Sequence, residues 1–77
     1  MSLELLYHLI EPLLDHPEKL RIDHIDTEEV DIFLISVPEA DRGHLLGRDG
    51  KTADSLRSVV NRVGELEGRD VVVDILD

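Results

Sequence analysis

The sequence predicts an α+β domain of order αββααβ, with a three-stranded mixed sheet covered by helices on one face. Three observations predict it. The apolar spacing switches between the three-and-four rhythm of a helix and the alternation of a strand. A short polar segment separates the first two strands, which makes them an antiparallel hairpin. The last strand follows two helices, which permits a parallel, right-handed return beside the middle strand. A chain of 77 residues has room for one such domain, residues 1–77, with a small core.

About residues 3–14 place Leu5, Leu6, Leu9, Ile10, Leu13 and Leu14 at helical spacings, the stripe of an amphipathic helix. Pro12 stands near its end, where proline removes a backbone hydrogen bond and kinks or closes a helix. Asp15-His16-Pro17 reads as the exit turn. Over residues 20–25, Leu20 and Ile22 alternate with Arg21 and Asp23, a strand with one wet face. Asp26-Thr27-Glu28-Glu29 is the hairpin connection. Residues 30–37 carry Ile32-Phe33-Leu34-Ile35 at their centre, an unbroken apolar run that suits a middle strand covered on both sides or nearly so.

Pro38 fits the first turn of a second helix, and Glu39 and Asp41 put negative charge at its positive end. That helix is brief, because Gly43, Gly47 and Gly50 crowd behind it. From about Lys51, the positions Ala53, Leu56, Val59, Val60, Val63 and Leu66 mark a third helix. Gly68 is its stop. Val71, Val73 and Ile75 then alternate with Val72 and Asp74 in the last strand.

Composition narrows the function. The balance of 18 acidic to 8 basic residues gives a net charge of −10, which argues against coating nucleic acid by bulk charge. Tyr7 and Phe33 are the only aromatic rings besides histidine, too few for a base-stacking platform. Without cysteine there is no disulfide or thiolate metal site, which fits a reducing compartment. No apolar run approaches the roughly 20 residues of a membrane span, so no membrane insertion is expected. His8, His16, His24 and His44 form no ligand pair at helical spacing, so no metal is expected. Ser55 lies near the glycines but has no base beside it, and no enzyme or cofactor is implied.

The one local feature with a mechanism is Gly47-Arg48-Asp49-Gly50, between the second and third helices. Two glycines three apart let the backbone turn sharply and let another backbone approach. The helix behind them offers unpaired amides and a positive dipole end, which favour a phosphate. Arg48 at the tip and Lys51 at the helix start add cations. The spacing alone also fits an ordinary helix-to-helix turn, and Asp49 suits a cap for the third helix.

Charge segregation favours the phosphate reading. Residues 42–62 hold Arg42, Arg48, Lys51, Arg57 and Arg62 against Asp49 and Asp54, a local +3, while the other 56 residues carry −13. Physiological salt screens beyond about 8 Å, so contact cations still act.

Leu45-Leu46-Gly47-Arg48-Asp49-Gly50-Lys51 resembles the hallmark segment of KH domains, an aliphatic pair followed by G-x-x-G at a helix–helix junction. The element order matches the type II KH topology, and the whole chain is similar to the small bacterial KhpA (YlqC) type. The resemblance implies single-stranded RNA as ligand, held at its backbone by the loop while bases lie in an aliphatic groove. By position it makes Gly47, Arg48, Asp49, Gly50 and Lys51 RNA-binding, with Arg42 and Arg57 nearby and Leu46 and Leu56 either shaping the groove or in the core. The Asp26 to Glu29 turn is expected to flank that groove and repel RNA. The resemblance further implies a cytoplasmic RNA chaperone or regulator linked to cell shape and envelope synthesis. It would act as a homodimer or with a KhpB-type (Jag, EloR) partner. The alternative is a protein–protein adaptor with little RNA affinity, using apolar side chains on an uncovered sheet face or on the first helix.

Overall fold

The computed structural model describes residues 1–47 and 51–76. Helix α1 (Leu3–Ile10) starts on Ser2, whose Oγ accepts the Leu5 N–H at 3.1 Å and so satisfies one of the amides that a helix start leaves open. It ends at Ile10, earlier than the leucine spacing suggests. Pro12 has no N–H with which to continue the α pattern, and a 3₁₀ turn at Glu11–Leu13 takes over. Two apolar stripes run side by side here. Leu6, Ile10 and Leu14 go inside, while Leu5 and Leu13 remain 40% and 41% exposed.

A second 3₁₀ turn, Pro17–Lys19, leads into β1 (Arg21–Asp26), which pairs antiparallel with β2 (Val30–Ser36). Helices α2 (Glu39–Leu46) and α3 (Lys51–Glu67) follow, and β3 (Asp70–Ile75) returns parallel to β2. The strand order is β1-β2-β3, so the apolar run does form the central strand. Ile22, Phe33, Ile35, Val71 and Val73 point from the sheet into a core completed by Leu6, Ile10, Leu45, Leu56 and Val60. The helices lie on one face, as expected, so only the coverage of the middle strand on both sides is corrected. Among the described residues no helix covers the opposite face, and Ile32 and Leu34 are only half-buried there.

The long stripe of α3 also divides. Ala53, Leu56, Val60 and Gly64 face inward, whereas Val59 and Leu66 are 49% and 71% exposed. Gly68 stops the helix as expected, at φ +71°. Its N–H donates to Glu65 O at 3.2 Å and the Arg69 N–H donates to Gly64 O at 2.9 Å, a paired closure of the last turn. A side chain at Gly68 meets no steric obstacle but carries about 1–2 kcal/mol of left-handed strain.

That closure aims Arg69 at the β1–β2 turn. Its Nη2 donates to Thr27 O at 2.7 Å and Asp26 Oδ1 at 2.9 Å, its Nη1 to Glu28 O at 3.2 Å, and its Nε to Asp31 Oδ2 at 3.1 Å. Asp31 is buried, and its Oδ1 lies 2.9 Å from His24 Nε2, whose ring stacks on Phe33 at 4.4 Å. The hydrogen bond with His24, helped by Arg69 and opposed by burial, holds the Asp31 carboxyl below the usual carboxylate range.

Candidate nucleic-acid interface

The candidate interface begins with α2, and α2 is anchored by Asp41. This side chain is fully buried and accepts the N–H of Asp15 at 2.8 Å and of His16 at 2.9 Å. The sequence places Asp41 as a charge for the helix dipole; in the fold it also ties the exit turn of the first helical segment to α2. Burial pushes its carboxyl up, but the two amides outweigh that and hold it below the ordinary value. His44, one turn on, faces Asp15 with Nε2 at 3.0 Å from Oδ2.

Gly47 closes α2, its N–H donating to Gly43 O at 2.9 Å. Its φ is +66°, and a Cβ there would stand 2.5 Å from Thr52 Oγ1 and 2.9 Å from Thr52 N. Both the left-handed backbone and the contact with the first turn of α3 therefore demand glycine. Arg48, Asp49 and Gly50 lie outside the described residues. Lys51 opens α3 and is exposed. A cation at that end opposes the helix dipole, so helix stability alone does not explain it.

The other predicted residues scatter. Arg42 on α2 is half-buried, and among the described residues its buried Nε has no hydrogen-bond partner. Leu46 is 39% exposed at the end of α2. Arg57 leans on the edge of the sheet, Nε 3.5 Å from Val73 O and Nη1 3.7 Å from Asp54. Arg62 pairs with Glu65 at 3.0 Å, about 16 Å along the axis from Lys51 at 1.5 Å per residue. The linear cluster of cations thus separates into Lys51 at the head of α3, Arg42 half-buried on α2, and two arginines turned to other partners.

Beside Thr52 an apolar groove of about 230 Å³ runs between the first helical segment and α3, lined by Leu9, Leu13, Thr52, Ser55, Leu56 and Val59. Leu56, which also packs in the core, lines it, and Leu46 is not among the lining residues. Leu9 and Leu13, which the sequence assigns to one helical stripe with the core residues, supply the opposite wall. The Asp26 to Glu29 turn does not flank this groove. Arg69 fastens it at the far end of α3, and 17 residues of helix span about 25 Å. Two concavities of about 490 Å³ each lie there, bordered by Glu65 and Asp70 and, in one, Glu28 and Glu29. Arg69 lines both but is engaged by Asp26 and Asp31, and the acidic rims disfavour phosphate. Two His–Asp groupings assemble only in space, Asp15 with Asp41 and His44, and His24 with Asp26 and Asp31. The contacts above already engage Asp41 and Asp31 with the protein's own donors.

The sequence matches the family model of the KhpA/KhpB KH domain over residues 3–75. The chain belongs to this family. The KhpA/KhpB domain is an RNA-binding family rather than an enzyme family, and the αββααβ order with its parallel β2–β3 pair is the type II KH fold. Among KhpA relatives, RNA-binding protein KhpA of Bacillus subtilis is 31% identical over 74 residues, 96% of this chain and 91% of that protein. RNA-binding protein KhpA of Halalkalibacterium halodurans is 39% identical over 74 residues, 95% and 96% of the two chains. That of Streptomyces coelicolor is 34% identical over 74 residues, 96% and 90%.

Proposed function

We propose that the chain binds single-stranded RNA through the loop of residues 47–50, with the sugar–phosphate backbone at the start of α3 and bases along the apolar groove. Gly47 carries the reading. Its φ of +66° and its approach to Thr52 N bring bare backbone to the head of a 17-residue helix whose first residue is Lys51, a setting that suits an anion. The names of the KhpA relatives support the choice of RNA. Contacts to backbone carry little sequence information, and a net charge of −10 opposes the approach of a polyanion. The grip is therefore weak and tolerant of sequence.

A weak site gains from being doubled. Val59 and Leu66, exposed on one side of α3 beside the groove, support a homodimer, and a KhpB-type partner would serve the same end. The cytoplasmic setting and the role as RNA chaperone or regulator of cell shape and envelope synthesis extend the family resemblance. Sedimentation over a range of concentrations tests the dimer: a second species is expected as concentration rises, and a monomer throughout counts against it.

Salt titration tests the RNA site. With two or three phosphates held, log K is expected to fall against log salt with a slope of roughly −1.4 to −2.1, from about −0.7 per phosphate on a single strand. Lys51→Glu is expected to weaken binding and make the slope shallower by about 0.7 without unfolding the chain. A slope unchanged by that substitution would mean the strand lies elsewhere.

A further inference from the structure

The uncovered sheet face has a chemistry of its own, and it does not rest on the RNA reading. Strand alternation and register put Ile25, Ile32 and Val72 in one apolar row across the three strands. In the next row Leu34 stands between Asp23 and Asp74. Ile25 and Val72 are each 47% exposed. Asp26, Asp31 and Asp54 all pair with arginine, but among the described residues no cation comes within 4.0 Å of Asp23 or Asp74. Arg21 is on the same face, at its border opposite Ser36.

We propose that this face docks a protein segment that presents an aliphatic stripe bordered by Lys or Arg. The apolar row rewards burial, and covering unpaired carboxylates is unfavourable unless the occupant brings cations to them. A second copy answers badly, because a two-fold axis on this face sets the same acidic row near its own image. RNA answers worse, since its phosphates would meet the two aspartates. A basic amphipathic segment satisfies both the row of branched side chains and the charges beside it.

The test is a titration of isotopically labelled full chain with a synthetic amphipathic peptide of about 18 residues carrying a leucine stripe between lysines. A scrambled peptide of the same composition is the control. Amide shifts are expected at Asp23, Ile25, Ile32, Leu34, Val72 and Asp74, with binding about tenfold tighter than to the scrambled peptide. Asp23→Asn combined with Asp74→Asn is expected to weaken binding about tenfold, and Val72→Thr to weaken it with the sheet intact. Equal affinity for both peptides overturns the proposal. So do shifts confined to the acidic turn at residues 26–29. Concentration-dependent shifts of the face without peptide would assign it to a second copy, and shifts there on adding a short RNA would assign it to nucleic acid; either result overturns the proposal.

Discussion

Replacing Arg69 by methionine is expected to lower the melting temperature by more than about 10 °C, read by circular dichroism. The guanidinium joins two turn carbonyls and two aspartates, so its removal frees the hairpin and leaves buried Asp31 with His24 as its remaining side-chain partner. Arg69→Lys keeps the charge but lacks the planar fork that reaches several acceptors at once, and is expected to recover only part of the loss. A shift under about 2 °C would mean that the turn is held by other contacts.

Acid acts on the same knot. Asp31 has a carboxyl pKa lowered by folding from an ordinary 3.8, so the ionised form favours the native state. Its contribution is fully present above the unfolded value and is lost as pH falls below 3.8 through the lower native one. In the Arg69→Met protein part of that lowering disappears, and the stability profile between pH 5 and pH 3 is expected to be flatter than in the parent, about those limits being set by carboxylate titration. Urea melts across that range would record it. An unchanged profile would place the acid sensitivity in other carboxylates.

Gly47→Asp combined with Gly50→Asp is expected to abolish binding of a short single-stranded RNA, at least about 100-fold, while the sheet and its core persist. At Gly47 a side chain meets the first turn of α3 and must adopt φ +66°, and each carboxylate repels a phosphate. Far-ultraviolet circular dichroism separates lost binding from lost fold. Because Gly47→Asp also strains the backbone, Lys51→Glu supplies the charge reversal without that strain. RNA affinity that survived both variants would end the assignment of the loop.

Much of this architecture was readable in the chain because burial imposes simple periods. The alternation of Leu20, Ile22 and Arg21, and of Val71, Val73 and Val72, told core from solvent correctly. Periodicity could not decide between the two leucine stripes of α1, since Leu5, Leu9 and Leu13 are spaced as well as Leu6, Ile10 and Leu14. Packing against β1 and into the shared core makes that choice, and it leaves Leu9 and Leu13 as a groove wall. Asp41 and Arg69 were opaque for another reason. Each acts across 25 or more residues, and a linear window saw only a helix-end acid and one base in an acidic stretch. Nor could a linear window show that Arg57 turns to the sheet edge and that Arg62 lies about 16 Å along α3 from Lys51. That the turn at residues 26–29 lies at the opposite end of α3 from the apolar groove was not readable either, because a resemblance conveys element order more readily than which end of the sheet a turn occupies.

Lys51 lies where α3 would favour an acidic side chain. A laboratory selection for heat resistance would therefore drift toward glutamate or aspartate at this residue, while a selection for ligand capture would drift back. Improving ruggedness by optimising helix ends, a common engineering route, would on the proposed function silence the chain at the position where a surviving fold gives no warning of the loss.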